Sequence, residues 1–168
     1  MNQAAIYAGT FDPVTFGHLD VIRRAARIFP RLIVAVADNA SPTSKSTLLP
    51  VAERVEIARE AVAGIAGVEV ESFTGLLVEY VRSRSMRVII RGLRAFSDFE
   101  FEFQMALTNR SLAPDIETLF LMPKQDFSYV SSSTVRQIAE LGGDVSGFVP
   151  PPSLAALRRR WKEAGGRS

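Results

Sequence analysis

Apolar positions along the chain follow two rhythms. Runs that are apolar or β-branched almost throughout, Ala4–Ala8, Leu32–Ala37, Val68–Phe73, Val88–Arg91 and Thr118–Met122, predict strands. The unbroken Leu32-Ile33-Val34-Ala35-Val36 stretch is what a parallel strand covered on both faces needs. Between these runs apolar residues recur at helical spacing. Leu19, Ile22, Ala26 and Phe29 fall on one face, and Val51, Val55, Ala58 and Val62 on another, with Pro50 at the start. Leu76–Arg84 and Phe99–Leu112 predict two further helices, and Ser132–Leu141 one more, closed by Gly142-Gly143. Pro150-Pro151-Pro152 sets off a last helix, Leu154–Ala164. Strands and helices alternating through short links predict an α/β fold: a single doubly wound, Rossmann-like sheet of five parallel strands flanked by helices. Ligands of such sheets bind beyond the carboxyl ends of the strands, where strand order reverses. The segments in that position are residues 9–18, Asp38–Thr47, Arg91–Ser97 and Pro123–Ser133.

Composition narrows the class without deciding it. The 168 residues suit one domain spanning 1–168, with a basic C-terminal helix and tail from about residue 153. Hydrophobic residues at 47% and charged ones at 23% suit a soluble globular protein. There is no cysteine, hence no disulfide framework and no zinc–thiolate site. The N-terminus lacks a basic-then-apolar leader, and no apolar stretch approaches the roughly 20 residues of a membrane helix. The expected location is the cytoplasm, with no membrane partner. A net charge of +2 is too small to argue for a nucleic-acid partner. Arg158-Arg159-Arg160, Lys162 and Arg167 read most simply as a solvated helix face and tail.

Chemistry concentrates in the predicted loops. Gly9-Thr10-Phe11-Asp12-Pro13-Val14-Thr15-Phe16-Gly17-His18 joins the first strand to the first helix and holds the only histidine of the chain. A strand–turn–helix unit aims the unpaired N–H groups of the helix start at whatever lies above the strand, which favours an anion. Gly9 lets the backbone approach a ligand, Pro13 stiffens the turn, and Gly17 leaves room at the helix start. The pattern is neither the dinucleotide fingerprint nor a P-loop. Thr15-Phe16-Gly17-His18 does match the T/H-x-G-H signature of the nucleotidyltransferase superfamily.

Lys45 is the one cation of Asp38–Thr47, and alone could be merely solvated. Arg91-Gly92-Leu93-Arg94 follows a strand and presents two guanidinium forks suited to phosphate, unless Asp98 and Glu102 engage them instead. Ser131-Ser132-Ser133, at the end of Phe127-Ser128-Tyr129-Val130, could be a helix N-cap or a second phosphate cradle. Together, His18, Lys45, Arg91 and Arg94 with two helix starts would surround a polyphosphate. The sequence has no H-E-x-x-H, no Ser/His/Asp set and no carboxylate pair placed for acid–base work. That inventory suits nucleotidyl transfer, in which positioning and charge stabilisation dominate.

These residues resemble the bacterial phosphopantetheine adenylyltransferase family from about Ala5 to Pro150. The landmarks are Tyr7-Ala8-Gly9-Thr10-Phe11-Asp12-Pro13, Gly17-His18, Glu53-Arg54-Val55, Ile90-Arg91-Gly92-Leu93-Arg94, Asp98-Phe99-Glu100-Phe101-Glu102, Asn109-Arg110, Phe120-Leu121-Met122-Pro123 and Ser131-Ser132-Ser133. The first motif is shared with other adenylyl- and cytidylyltransferases; the segment from Arg91 to Glu102 is the selective one.

The resemblance implies transfer of the adenylyl group of ATP to 4′-phosphopantetheine, giving dephospho-CoA and pyrophosphate. It implies magnesium carried mainly by ATP rather than by a protein metal site, a cytoplasmic homohexamer, and inhibition by CoA. Thr10, Lys45, Leu77 and Arg91 would meet phosphopantetheine. Thr10, Phe11, His18, Gly92, Leu93, Arg94, Glu102 and the loop Phe127, Ser128, Tyr129, Val130, Ser131, Ser132, Ser133 would meet ATP. Thr10, His18, Lys45 and Arg94 would carry the catalysis. The chain departs from the usual pattern at Phe16, where asparagine is frequent, at Ala8, where proline is common, and at Leu49-Pro50; none removes a charged site residue. Two rivals stand beside this reading. One is a nicotinate or nicotinamide mononucleotide adenylyltransferase, which usually has a second histidine just before the Gly-His, where this chain has Thr15. The other is a nucleotide-binding module without activity, since fold alone does not imply catalysis.

Overall fold

The computed structural model describes residues 4–38, 47–94, 96–163 and 165, those at 96 and 97 by their backbone alone. The elements run β1 (Ala4–Gly9), α1 (Phe16–Ile28), β2 (Arg31–Ala37), α2 (Val51–Val62), β3 (Val68–Phe73), α3 (Leu77–Ser83), β4 (Val88–Gly92), α4 (Phe96–Leu112), β5 (Glu117–Leu121), α5 (Ser132–Glu140) and α6 (Pro151–Glu163). A 3-10 turn, Gln125–Phe127, precedes α5. All strand pairings are parallel, in the order β3-β2-β1-β4-β5. The chain therefore builds outward from β1 to β3 and then returns across to β4. The reversal places the carboxyl ends of β1 and β4 side by side at a switch point, which is where such sheets take ligands.

Alternation along the strands divides the core. Ala5 and Tyr7 of β1, with Leu32, Val34 and Val36 of β2, pack against Leu19, Ile22 and Ala25 of α1 and Val55, Ala58 and Val62 of α2. Ile6, Ala8, Ile33 and Ala35 face the other way, against Val78 and Val81 of α3, Met86 and Ile116. Every one of these strand residues is under 5% exposed, so β1 and β2 are covered on both faces, as their unbroken apolar runs required. A smaller cluster of Val130, Val135, Val145, Val149 and Leu157 seals α5 and α6 to each other. Gly67 shows a strict backbone demand: its φ is +75°, and a Cβ there would lie 2.2 Å from the carbonyl oxygen of Pro30.

Several boundaries differ from the sequence expectation. α1 starts at Phe16, one residue before Gly17, because Thr15 caps it. α6 starts at Pro151, not after the three prolines. Proline is compatible with the first helical turn, where its missing N–H would have no partner anyway. Arg159 and Arg160 are not simply solvated: both ion-pair with Glu53 of α2, docking α6 onto that helix.

Candidate active site

The geometry around His18 follows from the way α1 begins. Thr15, extended at φ −114° and ψ 167°, is the N-cap. Its hydroxyl accepts the His18 N–H at 3.3 Å, and its own N–H donates to His18 Nδ1 at 3.0 Å. This is a capping box in which imidazole replaces the usual Glu or Gln. A consequence for the chemistry is immediate. Nδ1 accepts a hydrogen bond, so the neutral ring carries its proton on Nε2 and presents an N–H donor with that atom. Burial, reinforced by Arg94 and then Arg91, pushes the His18 pKa down to about 3. The ring is therefore neutral at physiological pH. Phe11, at φ 49°, packs edge-on against His18 with ring centroids 5.0 Å apart and against Tyr7 at 5.3 Å. A Cβ on Gly9 would lie 3.1 Å from the Phe11 ring, so that glycine first of all makes room for Phe11.

Both arginines of β4 and its turn are held by carboxylates. Arg91 donates to Glu102 through Nε at 2.7 Å, forms a second bond to the same carboxylate, and reaches the Ala8 carbonyl at 2.6 Å. Burial opposes its charge, but Glu102 outweighs that and holds the guanidinium above its ordinary pKa. Arg94 makes a bidentate pair with Asp98 at 2.9 and 3.2 Å and donates to the Val130 carbonyl at 3.0 Å. The pairing that the sequence left as an alternative is therefore present, and it fixes both forks at the rim of one cleft.

That cleft, of about 420 Å³, is lined by Thr10, Phe11, His18, Arg91, Gly92, Arg94, Glu102 and Ser131, Ser132 and Ser133 among others. A second cleft, of about 340 Å³, is lined by Leu77, Phe73, Met105 and Asn109, and again by Thr10, Arg91 and Glu102. The two meet at the ends of β1 and β4. Leu93, Phe127, Ser128, Tyr129 and Val130 do not line either one. The Leu93 N–H donates to the Leu121 carbonyl, Phe127 packs at a tilt against Phe16, Tyr129 is 71% exposed, and Val130 is in the α5–α6 core. Lys45 lies outside the described residues. The arrangement is also less cationic than the sequence suggested. Among the described residues lining the larger cleft, Arg91, Arg94 and Arg136 face Asp12, Asp98 and Glu102.

Of the two uses left open above, the structure shows the helix cap. Ser131 caps α5 by accepting the Thr134 N–H at 3.0 Å, and Ser132 donates to the Pro13 carbonyl at 2.9 Å. All three line the cleft as they do so. Arg136, one turn further along α5, donates to the Asp12 carbonyl and also lines the cleft. Sequence reasoning missed it, although its i,i+4 spacing from Ser132 was a usable signal. It named Arg54 only as a landmark of the resemblance and missed its role. That side chain, 1% exposed, donates to the carbonyls of Leu49 (3.0 Å), Thr10 (2.6 Å) and Ala37 (2.8 Å). Asp12, 2% exposed, complements it by accepting the N–H groups of Leu48 and Leu49. Together they tie the ends of β1 and β2 to the entry of α2.

Comparison with known proteins agrees with this geometry. The cytidylyltransferase-like family profile matches residues 6–138. A phosphopantetheine adenylyltransferase of Thioalkalivibrio sulfidiphilus is 56% identical over 160 residues, covering 95% of this chain and 99% of that protein. Those of Methylococcus capsulatus and Alkalilimnicola ehrlichii are each 54% identical, covering 98% and 96% of this chain and 100% and 92% of theirs. Two solved structures share the fold. One, from Vibrio parahaemolyticus and assigned as a nicotinate-nucleotide adenylyltransferase, has a TM-score of 0.70 at 16% identity, covering 97% of each chain. The other, the Plasmodium falciparum nicotinic acid mononucleotide adenylyltransferase complexed with NaAD, has a TM-score of 0.66 at 13% identity, covering 93% of this chain and 94% of that one. With near-complete coverage at this level of identity, the chain belongs to the phosphopantetheine adenylyltransferase family of cytidylyltransferase-like nucleotidyltransferases.

Proposed function

We propose that the protein transfers the adenylyl group of ATP to 4′-phosphopantetheine, forming dephospho-CoA and pyrophosphate in the penultimate step of coenzyme A synthesis. The observation that carries the reading is the junction of the two clefts. Thr10 and Arg91 line both, so a nucleotide in the His18 cleft and an acceptor in the Leu77 cleft meet end to end there. A phosphate monoester with a second pKa of about 6 is ionised near neutrality and needs no general base. Its oxygen attacks the α-phosphorus of ATP. The bond from that phosphorus to the bridging oxygen breaks, and pyrophosphate leaves with the electron pair. The Nε2–H of His18 donates to the α-phosphoryl oxygens as negative charge builds on them, with Thr10 and Arg94 beside it. Arg91 and Arg94 arrive pre-oriented by their carboxylates and share those bonds with phosphate oxygens. Lys45 would add a cation to the acceptor side.

Magnesium would be carried by ATP, where it would supply neutralisation of the phosphate oxygens. Its preference for water and substrate phosphates over all-protein cages fits a cleft whose carboxylates are already engaged by arginines and backbone N–H groups. CoA, which contains the product's adenylyl–pantetheine framework, would occupy both clefts and inhibit. Helix α4 carries exposed Phe99, Phe103 and Leu107 at i, i+4, i+8 spacing, outside both clefts, an apolar stripe that a solvated helix does not need. That stripe supports self-association, which the proposal takes to be the homohexamer implied by the family resemblance. No helix among the described residues is long and apolar enough to cross a membrane, and a cytoplasmic location goes with the proposed reaction.

Acceptor choice tests the function. Purified protein given Mg-ATP and equal 4′-phosphopantetheine and nicotinamide mononucleotide is expected to release pyrophosphate with the first alone. The reverse preference would assign it to the mononucleotide adenylyltransferases, and turnover with neither would leave a binding module.

A further inference from the structure

The hydroxyl of Ser153, in the first turn of α6, is 0% exposed and donates to the Val14 carbonyl at 2.7 Å. That carbonyl belongs to the same peptide group as the Thr15 N–H, which donates to His18 Nδ1 at 3.0 Å. The three groups form one chain: Ser153 O–H to Val14 C=O, then through a single planar peptide to Thr15 N–H and the imidazole. We propose that Ser153 is a positioning residue for the adenylyl transfer, acting through the Val14–Thr15 peptide to hold the His18 ring in its orientation and in the Nε2–H tautomer. The inference rests on the functional reading above only for its kinetic consequence; the tautomer is a property of the free protein.

Two physical effects support the chain. Donation to a carbonyl polarises the amide and strengthens the hydrogen bond that the same peptide's N–H donates. Donation also fixes the tilt of the peptide plane, and with it the direction in which the Thr15 N–H points. The surroundings make α6 a rigid anchor for this contact. Its Trp161 Nε1 donates to the Glu140 carbonyl at 3.2 Å, and just before it the Phe148 carbonyl accepts the Phe16 N–H at 2.9 Å. The C-terminal helix, which the sequence left without a function, thereby bears on the reacting centre while contributing no residue to either cleft.

The single histidine makes the test direct. In the full-length, tag-free protein labelled with 15N-histidine, the imidazole gives one pair of nitrogen signals. Near neutral pH the wild type is expected to show a protonated-type Nε2 and a lone-pair-type Nδ1. In Ser153→Ala the two signals move toward each other as the second tautomer becomes populated. In the same variant kcat falls about fivefold, the worth of one neutral hydrogen bond, while KM for both substrates stays within about twofold. Ser153→Cys, a weak donor of similar size that keeps the helix packing, is expected to fall between. Ser153→Thr, which retains the donor, restores the wild-type signals and kcat even if its melting temperature drops. Unchanged nitrogen signals and kcat in Ser153→Ala and Ser153→Cys, whatever happens to stability, would overturn the proposal. Signals that respond as expected in a protein without adenylyl transfer would instead refute the function and leave the relay standing.

Discussion

Replacing His18 with alanine is expected to lower kcat by about two to three orders of magnitude, the usual cost of removing one donor aimed at transition-state charge. ATP affinity, measured by calorimetry, should change by less than about tenfold, because Arg91, Arg94 and the start of α5 remain. The split follows from the state of the ring. Its Nδ1 is committed to Thr15, so the Nε2–H is a donor whose bond strengthens as the α-phosphoryl oxygens gain charge. A loss of binding equal to the loss of kcat would make His18 a ground-state contact instead. The pH profile adds a second check. With its pKa held near 3 by burial and the two arginines, His18 does not titrate as pH falls through 6.5, so the wild-type rate should show no inflection there from this group. Stability carries the opposite signature. The unfolded chain takes up a proton near pH 6.5 and the folded one only near pH 3. This contribution to stability is therefore complete above about pH 6.5 and is lost progressively as pH falls toward 3. The alanine variant lacks that component.

Arg54→Met is expected to destabilise the protein by about 3 to 5 kcal/mol, read from urea denaturation with the m-value held in view. The side chain is almost fully buried and donates to three backbone carbonyls, on Thr10, Ala37 and Leu49. Methionine fills much of the volume but takes a charged donor away from each of them, at about 1 to 3 kcal/mol per buried acceptor. Relief from burying the guanidinium, whose pKa desolvation already lowers, offsets part of that cost. Lysine does not substitute, because one ammonium cannot reproduce the planar fork. Thr10 also lines both clefts, so kcat should fall along with stability. A change below about 1 kcal/mol would mean that these contacts are dispensable.

The contrast between these residues shows what the sequence could convey. Strand positions were legible because β1 and β2 are buried on both faces and read as unbroken apolar runs. His18, Arg91 and Arg94 were legible because each follows such a run and the reversal of strand order brings those ends together. The start of α1 was legible to within one residue from Gly17-His18, whereas its capping partner, an imidazole rather than a carboxylate or amide, was not. Arg54 stood out in the sequence only as a landmark of the family resemblance, and its role was not legible there: its partners are backbone carbonyls, which carry no side-chain signature, and those of Thr10 and Ala37 lie far from it along the chain. Ser153 and Val14 are 139 residues apart, so nothing local announces their contact. The pairing of Glu53 with Arg159 and Arg160 likewise depends on α6 folding back over α2.

The central claim is that His18 donates a hydrogen bond and never becomes the nucleophile, so the adenylyl group passes directly between two bound phosphates. Running the reaction with ATP made chiral at phosphorus by an α-thio substitution tests it. Direct displacement predicts inversion of configuration in the dephospho-CoA product. Retention, the mark of an adenylylated histidine on the path, would contradict the account.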